Sequence, residues 1–151
     1  MAKLKATRGA QWPLVAEFVA NYSDTMLDVN GVEKTFGSVY TDAGTFEVIP
    51  MPIGAVIVGG ELIVETQGVG PTAYTVSVGN SSSATAYLAA TDLKAASGTR
   101  TALLLTSALG SNDGKNVRIT IASTVANASA GKFRIRVMYT IDGKANEVNP
   151  S

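Results

Sequence analysis

The chain has 151 residues, with twelve basic and twelve acidic side chains and neither cysteine nor histidine. A chain of this length can fold as one domain without a disulfide or a metal, and its balanced charge lacks the basic excess of duplex-binding proteins. Without cysteine it lacks thiol nucleophiles and thiolate ligands, and without histidine it lacks the commonest general base and metal ligand, which leaves carboxylate catalysis as the open alternative. The composition therefore predicts a non-enzymatic protein with no cofactor and no metal.

Residues 1–9 are polar and basic, and residues 145–151 are polar, which predicts a flexible arm at each end. The apolar stretch after the first arm is interrupted by Pro13 and Glu17, whereas a secretory signal needs an unbroken apolar run. No run reaches the ~18 apolar residues that a membrane helix requires. We therefore expect synthesis in a cytoplasm, no membrane partner and one folded domain over residues 10–144.

Apolar residues recur at every second position along the chain, which is typical of β-strands with one buried face. Residues 12–22 alternate in this way, but helical spacing fits them almost as well, so strand and helix both remain open. Asn30-Gly31 is a strong hairpin signal because both positions tolerate positive φ. Further strands are predicted at residues 45–49, 73–79, 99–106, 117–121 and 132–141.

Residues 55–66 form the longest apolar segment, and the central Gly59-Gly60 predicts a bulge or bend. Alternation predicts four inward-facing residues in this segment, Val56, Val58, Leu62 and Val64. Ile57 and Ile63 then fall on the opposite face. There they would either contact another subunit or be covered by their own chain.

Residues 87–96 are rich in alanine and leucine and predict one short helix, with Thr91 as an alternative cap of a single turn. Eight or nine strands, turn residues about every 8–15 positions and no strand–helix alternation predict an all-β fold. The size and spacing favour a two-sheet antiparallel sandwich that is jelly-roll-like.

Lys132, Arg134 and Arg136 alternate with apolar residues, and Arg118 on a neighbouring strand could extend them into a basic stripe. Such a stripe would either dock an acidic partner or be the ordinary solvated face of an antiparallel sheet. Glycine follows Asp113 and Asp142, which is turn chemistry rather than a calcium loop. The candidate interface residues are Ile57, Ile63, Arg118, Lys132, Arg134 and Arg136.

Four segments resemble, in matching order, segments of a known family. In residues 49–64 a Pro-x-Gly-Ala step leads into an apolar strand broken by Gly-Gly. The other three are residues 77–80 (Ser-Val-Gly-Asn), residues 87–96 and residues 131–147, which begin Gly-Lys-Phe-Arg-Ile-Arg-Val. Together they resemble small decoration (cement) proteins of tailed-bacteriophage capsids, whereas residues 1–44 match nothing in that family.

The resemblance implies a virion structural protein on the outside of the capsid. Its expected partners are the major capsid protein and further copies of itself, as a homodimer or homotrimer, with no nucleic acid. The resemblance implies no catalytic residues. The alternatives are a carbohydrate- or receptor-binding jelly-roll module and another head or tail component of a phage.

Overall fold

The computed structural model describes residues 12–40, 43–104 and 114–141, so both predicted arms lie outside the described residues. The described residues form strands and no helix, and they offer no membrane-spanning helix. Ten strands are present within these ranges: β1 (Leu14–Asn21), β2 (Thr25–Leu27), β3 (Glu33–Thr35), β4 (Gly44–Ile49), β5 (Ala55–Val69), β6 (Ala73–Gly79), β7 (Leu88–Asp92), β8 (Arg100–Ala102), β9 (Val117–Thr124) and β10 (Ala130–Ile141).

Two four-stranded antiparallel sheets carry the fold. The first sheet has the order β1-β10-β5-β8, the second sheet has the order β4-β9-β6-β7, and β2 and β3 pair separately as a hairpin. Apart from that hairpin, every connection except β6–β7 crosses from one sheet to the other. This order and these crossings are those of a jelly roll, which confirms the predicted all-β sandwich.

The core lies between the two sheets and follows the alternation read from the sequence. In the first sheet Phe133, Ile135 and Val137 are buried, and residues 14–21 form a strand that packs Ala20 against them. The open choice between strand and helix is thereby settled. The second sheet contributes a layer of buried residues, Phe46, Tyr74, Val76, Val78, Val117, Ile119 and Ile121.

A bulge in β5 changes which residues face the core. Ile57 lies opposite Tyr139 and Gly59 lies opposite Met138, so Val58 is an extra residue without a partner on β10. Ile57 is therefore 5% exposed, whereas Val58 is 39% exposed. The prediction that Val56 and Val58 face inward and Ile57 outward was wrong, because strict alternation does not hold across a bulge.

Two other predictions are corrected. The predicted helix over residues 87–96 is strand β7 followed by a turn, because Tyr87, Leu88 and Leu93 are buried by pairing with β6 and packing on the core. The predicted strand over residues 99–106 is shorter. After β8 the Leu104 N–H donates to the Tyr87 carbonyl at 2.8 Å, which takes the chain off the first sheet, and residues 105–113 lie outside the described residues.

Gly60 is required where β5 and β10 approach each other. Its φ is +148°, and a Cβ there would lie 2.2 Å from the Arg136 carbonyl oxygen. At Gly59 the nearest atom to a Cβ would be the mobile Cε of Met138, at 3.1 Å. Of the two glycines, only Gly60 is therefore required by the backbone, whereas a side chain at Gly59 would meet only the mobile end of Met138.

We expect Gly60→Ala to lower the free energy of unfolding by about 2 kcal/mol or more, because it combines a backbone clash with an unfavourable φ. Gly59→Ala, the matched control, should change it by less than about 1 kcal/mol. Urea denaturation of both variants measures the difference. Equal effects of the two substitutions would contradict the close approach of Gly60 to the β10 backbone.

Candidate protein-interaction surfaces

The outward face of the first sheet carries alternating charges. Lys132, Arg134 and Arg136 project from β10, as their spacing predicts. Three carboxylates flank them: Glu17 on β1, and Glu61 and Glu65 on β5. We call these residues, together with Arg100 on β8, the charge lattice. Its ion pairs are Arg134–Glu17 at 2.6 Å, Arg134–Glu65 at 2.5 Å, Arg136–Glu17 at 2.7 Å, Arg136–Glu61 at 3.4 Å, Arg100–Glu61 at 2.7 Å and Lys132–Glu65 at 3.1 Å.

Hydrogen bonds within the charge lattice favour the ionised carboxylates. Those from Arg136 and then Arg134 lower the pKa of Glu17 below its ordinary value. Hydrogen bonds from Arg134 and then Lys132 lower the pKa of Glu65. The hydrogen bond that Arg134 donates to Glu65 in turn raises the pKa of Arg134. Four cations thus face three carboxylates, and the predicted stripe is a nearly neutral surface rather than a strongly basic one.

Arg118 lies on the other side of the molecule and does not join this surface. It belongs to β9 in the second sheet, where its Nε and Nη2 atoms donate to the Glu47 carboxylate at 3.1 and 2.9 Å. Hydrogen bonds from Asn116 and then Arg118 lower the pKa of Glu47. The joint stripe of Arg118 with the β10 residues is therefore absent, because their strands are in different sheets.

The two candidate isoleucines have different environments. Ile57 belongs to the core between the sheets. Ile63 is on the outward face, between Arg134 of β10 and Arg100 of β8 in register, and is only 7% exposed. Long arginine side chains can cover apolar surface with their methylene stems. Within the single chain, both isoleucines are therefore covered by neighbouring residues.

An apolar depression adjoins the charge lattice at one end of the first sheet. It has a volume of about 680 Å³. Its lining is Val15, Gly60, Ala102 and Met138 together with four members of the charge lattice, Glu17, Glu61, Arg100 and Arg136. Val15 and Met138 are directly opposite each other on β1 and β10, and both are exposed. No aromatic ring lines it, so it lacks the stacking surface that sugars commonly use.

The β2–β3 hairpin presents a second apolar surface. Leu27, Val29 and Val32 are exposed around its turn. The turn is fixed by the buried Asp28 carboxylate, which accepts hydrogen bonds from the N–H groups of Asn30 and Val32 and pairs with Lys34 at 2.9 Å. These contacts, led by Lys34, lower the pKa of Asp28. The Asn-Gly turn was predicted correctly, but its apolar surroundings were not recognised as a surface.

The third exposed apolar surface is a single residue, Val125, at the β9–β10 turn. Val125 has a φ of +74°, and the Ala126 N–H donates to the Thr124 carbonyl at 2.9 Å. This is a γ-turn of the rare kind, which is strained for a β-branched residue. The Val125 side chain is 80% exposed. Nothing in the local sequence signals the strain, since only small residues of mixed polarity surround it.

Acidic side chains in the described ranges are a further class of candidate site. No group of three or more acidic side chains there is arranged to hold a metal ion. Glu61 and Glu65, the carboxylate pair on β5, each form ion pairs with basic side chains.

No protein-family model and no curated protein matches this sequence. Solved structures do match its fold. A chain of the cyanophage Pam1 capsid asymmetric unit is 23% identical with a TM-score of 0.58, over 93% of this chain and 94% of that one. A chain of the acid-stable capsid of Helicobacter pylori bacteriophage KHP30 is 18% identical with a TM-score of 0.57, over 93% and 95%.

A third match comes from the capsid of Ralstonia phage GP4, at 16% identity and a TM-score of 0.56, over 95% of this chain and 92% of that chain. At these identities the likeness establishes a shared fold. It extends over nearly the whole of each chain, so the matching chains are similar in length to this one. All three come from phage capsids, and none is described as a decoration protein.

The lowered pKa values of Glu17 and Glu65 predict acid-sensitive stability. Their contribution is present above the ordinary value of 4.5 and is lost as the pH falls through the lower folded-state values, because the unfolded chain binds protons first. We expect the Glu17→Gln, Glu65→Gln double variant to lose less stability than the wild type between pH 6 and pH 2, roughly the span of carboxyl titration.

Urea midpoints across that range provide the measurement. The control is Glu33→Gln, which alters an exposed glutamate on β3 outside the charge lattice and should retain the wild-type pH dependence. If the double variant followed the wild-type curve, the ion pairs would not contribute to stability.

Proposed function

We propose that this chain is a virion structural protein without catalytic activity, a capsid decoration (cement) protein. In this proposal it binds the outer surface of the major capsid lattice as a homo-oligomer and stabilises the head. The observation that carries the proposal is the fold shared, over nearly full length, with similarly sized chains from three phage capsids.

The surfaces of the molecule support this role. A decoration protein needs a rigid body and several modest contact surfaces, since many weak contacts across a lattice combine through high effective concentration. The jelly-roll core provides the rigid body. The apolar depression, the hairpin surface and Val125 provide exposed contact areas at different places on it.

The β2–β3 hairpin is the capsid contact in this proposal. Leu27, Val29 and Val32 form an apolar tip on a turn that Asp28 holds rigid, so little conformational entropy is lost when the tip is buried. The hairpin also belongs to residues 1–44, the part of the sequence that does not resemble known decoration proteins. Such a part is suited to matching one particular capsid.

Cosedimentation of the purified protein with capsids that lack it tests two parts of the proposal: that the protein decorates capsids, and that the hairpin makes the contact. We expect Leu27→Asp to weaken binding about tenfold or more, because it places a charge in a buried apolar contact. Leu104→Asp is the matched control, since Leu27 is 61% and Leu104 is 57% exposed. It should bind as the wild type does.

Failure of the hairpin contact and failure of capsid decoration give different results. Wild-type binding by Leu27→Asp would remove the hairpin as the contact and leave decoration intact. Failure of the wild-type protein to bind any capsid surface would contradict decoration itself. Circular dichroism spectra of both variants confirm that they are folded.

A further inference from the structure

The outer edge of β1 has backbone groups available for another strand. Tyr22 N–H donates to the Gly131 carbonyl of the β10 strand at 2.9 Å, so even-numbered residues of β1 point their backbone groups toward β10. The backbone N–H and C=O groups of Val15, Glu17 and Val19 point away from β10. Within the described part of the chain they have no hydrogen-bond partner, whereas Asn21 at the end of β1 pairs with Asp24.

This edge lacks the features that usually prevent strand addition. Exposed edge strands are commonly short, or carry proline or outward charges. β1 has eight residues, no proline and a single charged residue, Glu17, whose carboxylate is directed onto the sheet face by Arg134 and Arg136. On its inner side Phe18 is only partly buried against the core, which leaves apolar surface for a neighbour to cover.

We propose that this edge binds residues 2–7 of a second copy of the chain as an added antiparallel strand. Ala2, Leu4 and Ala6 alternate there with Lys3, Lys5 and Thr7. In the register that places Lys5 opposite Glu17, Leu4 lies beside Phe18 on the inner face. The apolar residues then face inward and the two lysines outward, which is the pattern of β1 itself.

Charge and pattern select this occupant over a second β1 strand. An antiparallel β1–β1 contact centred on Glu17 would bring two carboxylates together, which is unfavourable for a cross-strand pair. Residues 1–11 contain three basic residues and no acidic one. Lys5 opposite Glu17 is an opposite-charge pair of the kind that stabilises strand pairing.

The start of β1 favours a second copy over the chain's own segment. Pro13 directly precedes the strand, and a residue before proline, here Trp12, is restricted to extended conformations. No turn is present at these two residues, and the Trp12 side chain is exposed. Trp12 and Pro13 therefore do not begin a turn back toward the edge of β1.

Single-cysteine chains test the proposal without a capsid, so its failure is separate from that of the proposed function. The native chain has no cysteine. In the proposed register residues 3 and 19 are directly opposite, about 5.5 Å apart at Cα, which suits a disulfide. Lys3→Cys and Val19→Cys chains with tags of different mass are co-expressed and oxidised. The control pair is Lys3→Cys with Val69→Cys, an exposed valine at the far end of β5.

We expect the mixed disulfide dimer of the 3/19 pair to form several-fold more than that of the 3/69 pair. Equal yields would overturn the proposal. A chain carrying both Lys3→Cys and Val19→Cys adds a second test: an intrachain disulfide as its main product would mean that the segment closes on its own strand. Light scattering provides a third test of the added strand. Deletion of residues 1–9 should lower the mass of the oligomer, and an unchanged mass would count against strand addition between copies.

Discussion

β10 lies between β1 and β5, and this pairing determines both faces of the first sheet. One set of its alternate residues, Phe133, Ile135 and Val137, packs into the core. The other set, Lys132, Arg134 and Arg136, meets the carboxylates of the two neighbouring strands. Because side chains on a strand alternate strictly, a shift of one residue would bury the cations and expose the core residues.

Local alternation was sufficient to predict β6, β9, β10 and the two-sheet class, because each of these strands has one face on the core. For β1 it left strand and helix both open, because helical spacing fits those residues almost as well. It failed in β5, where the extra Val58 reverses the alternation. A glycine pair can signal such a bulge, but not on which side of it the reversal begins. The helix prediction for residues 87–96 failed for another reason. Burial and strand pairing there outweigh the helix propensity of alanine.

The interaction surfaces were harder to predict because they depend on which strands are neighbours. The three β10 cations were identified as a group, but the carboxylates that neutralise them come from Glu17, Glu61 and Glu65, between 67 and 119 positions away along the chain. Only the register brings them together. Arg118 was misplaced for the same reason. The exposed hairpin residues and Val125 carry no periodic signal, since their exposure results from the tertiary fold.

In the proposed role the rigid sandwich contacts the capsid through the apolar hairpin tip and further copies of the chain through the edge of β1. The central proposal is that the protein is a capsid component on the outer surface. On this proposal, a cryo-electron microscopy reconstruction of the source phage particles tests it most directly. The account predicts jelly-roll density repeated over the outside of the shell. Density only at a tail or portal, or none in the particle, would contradict it.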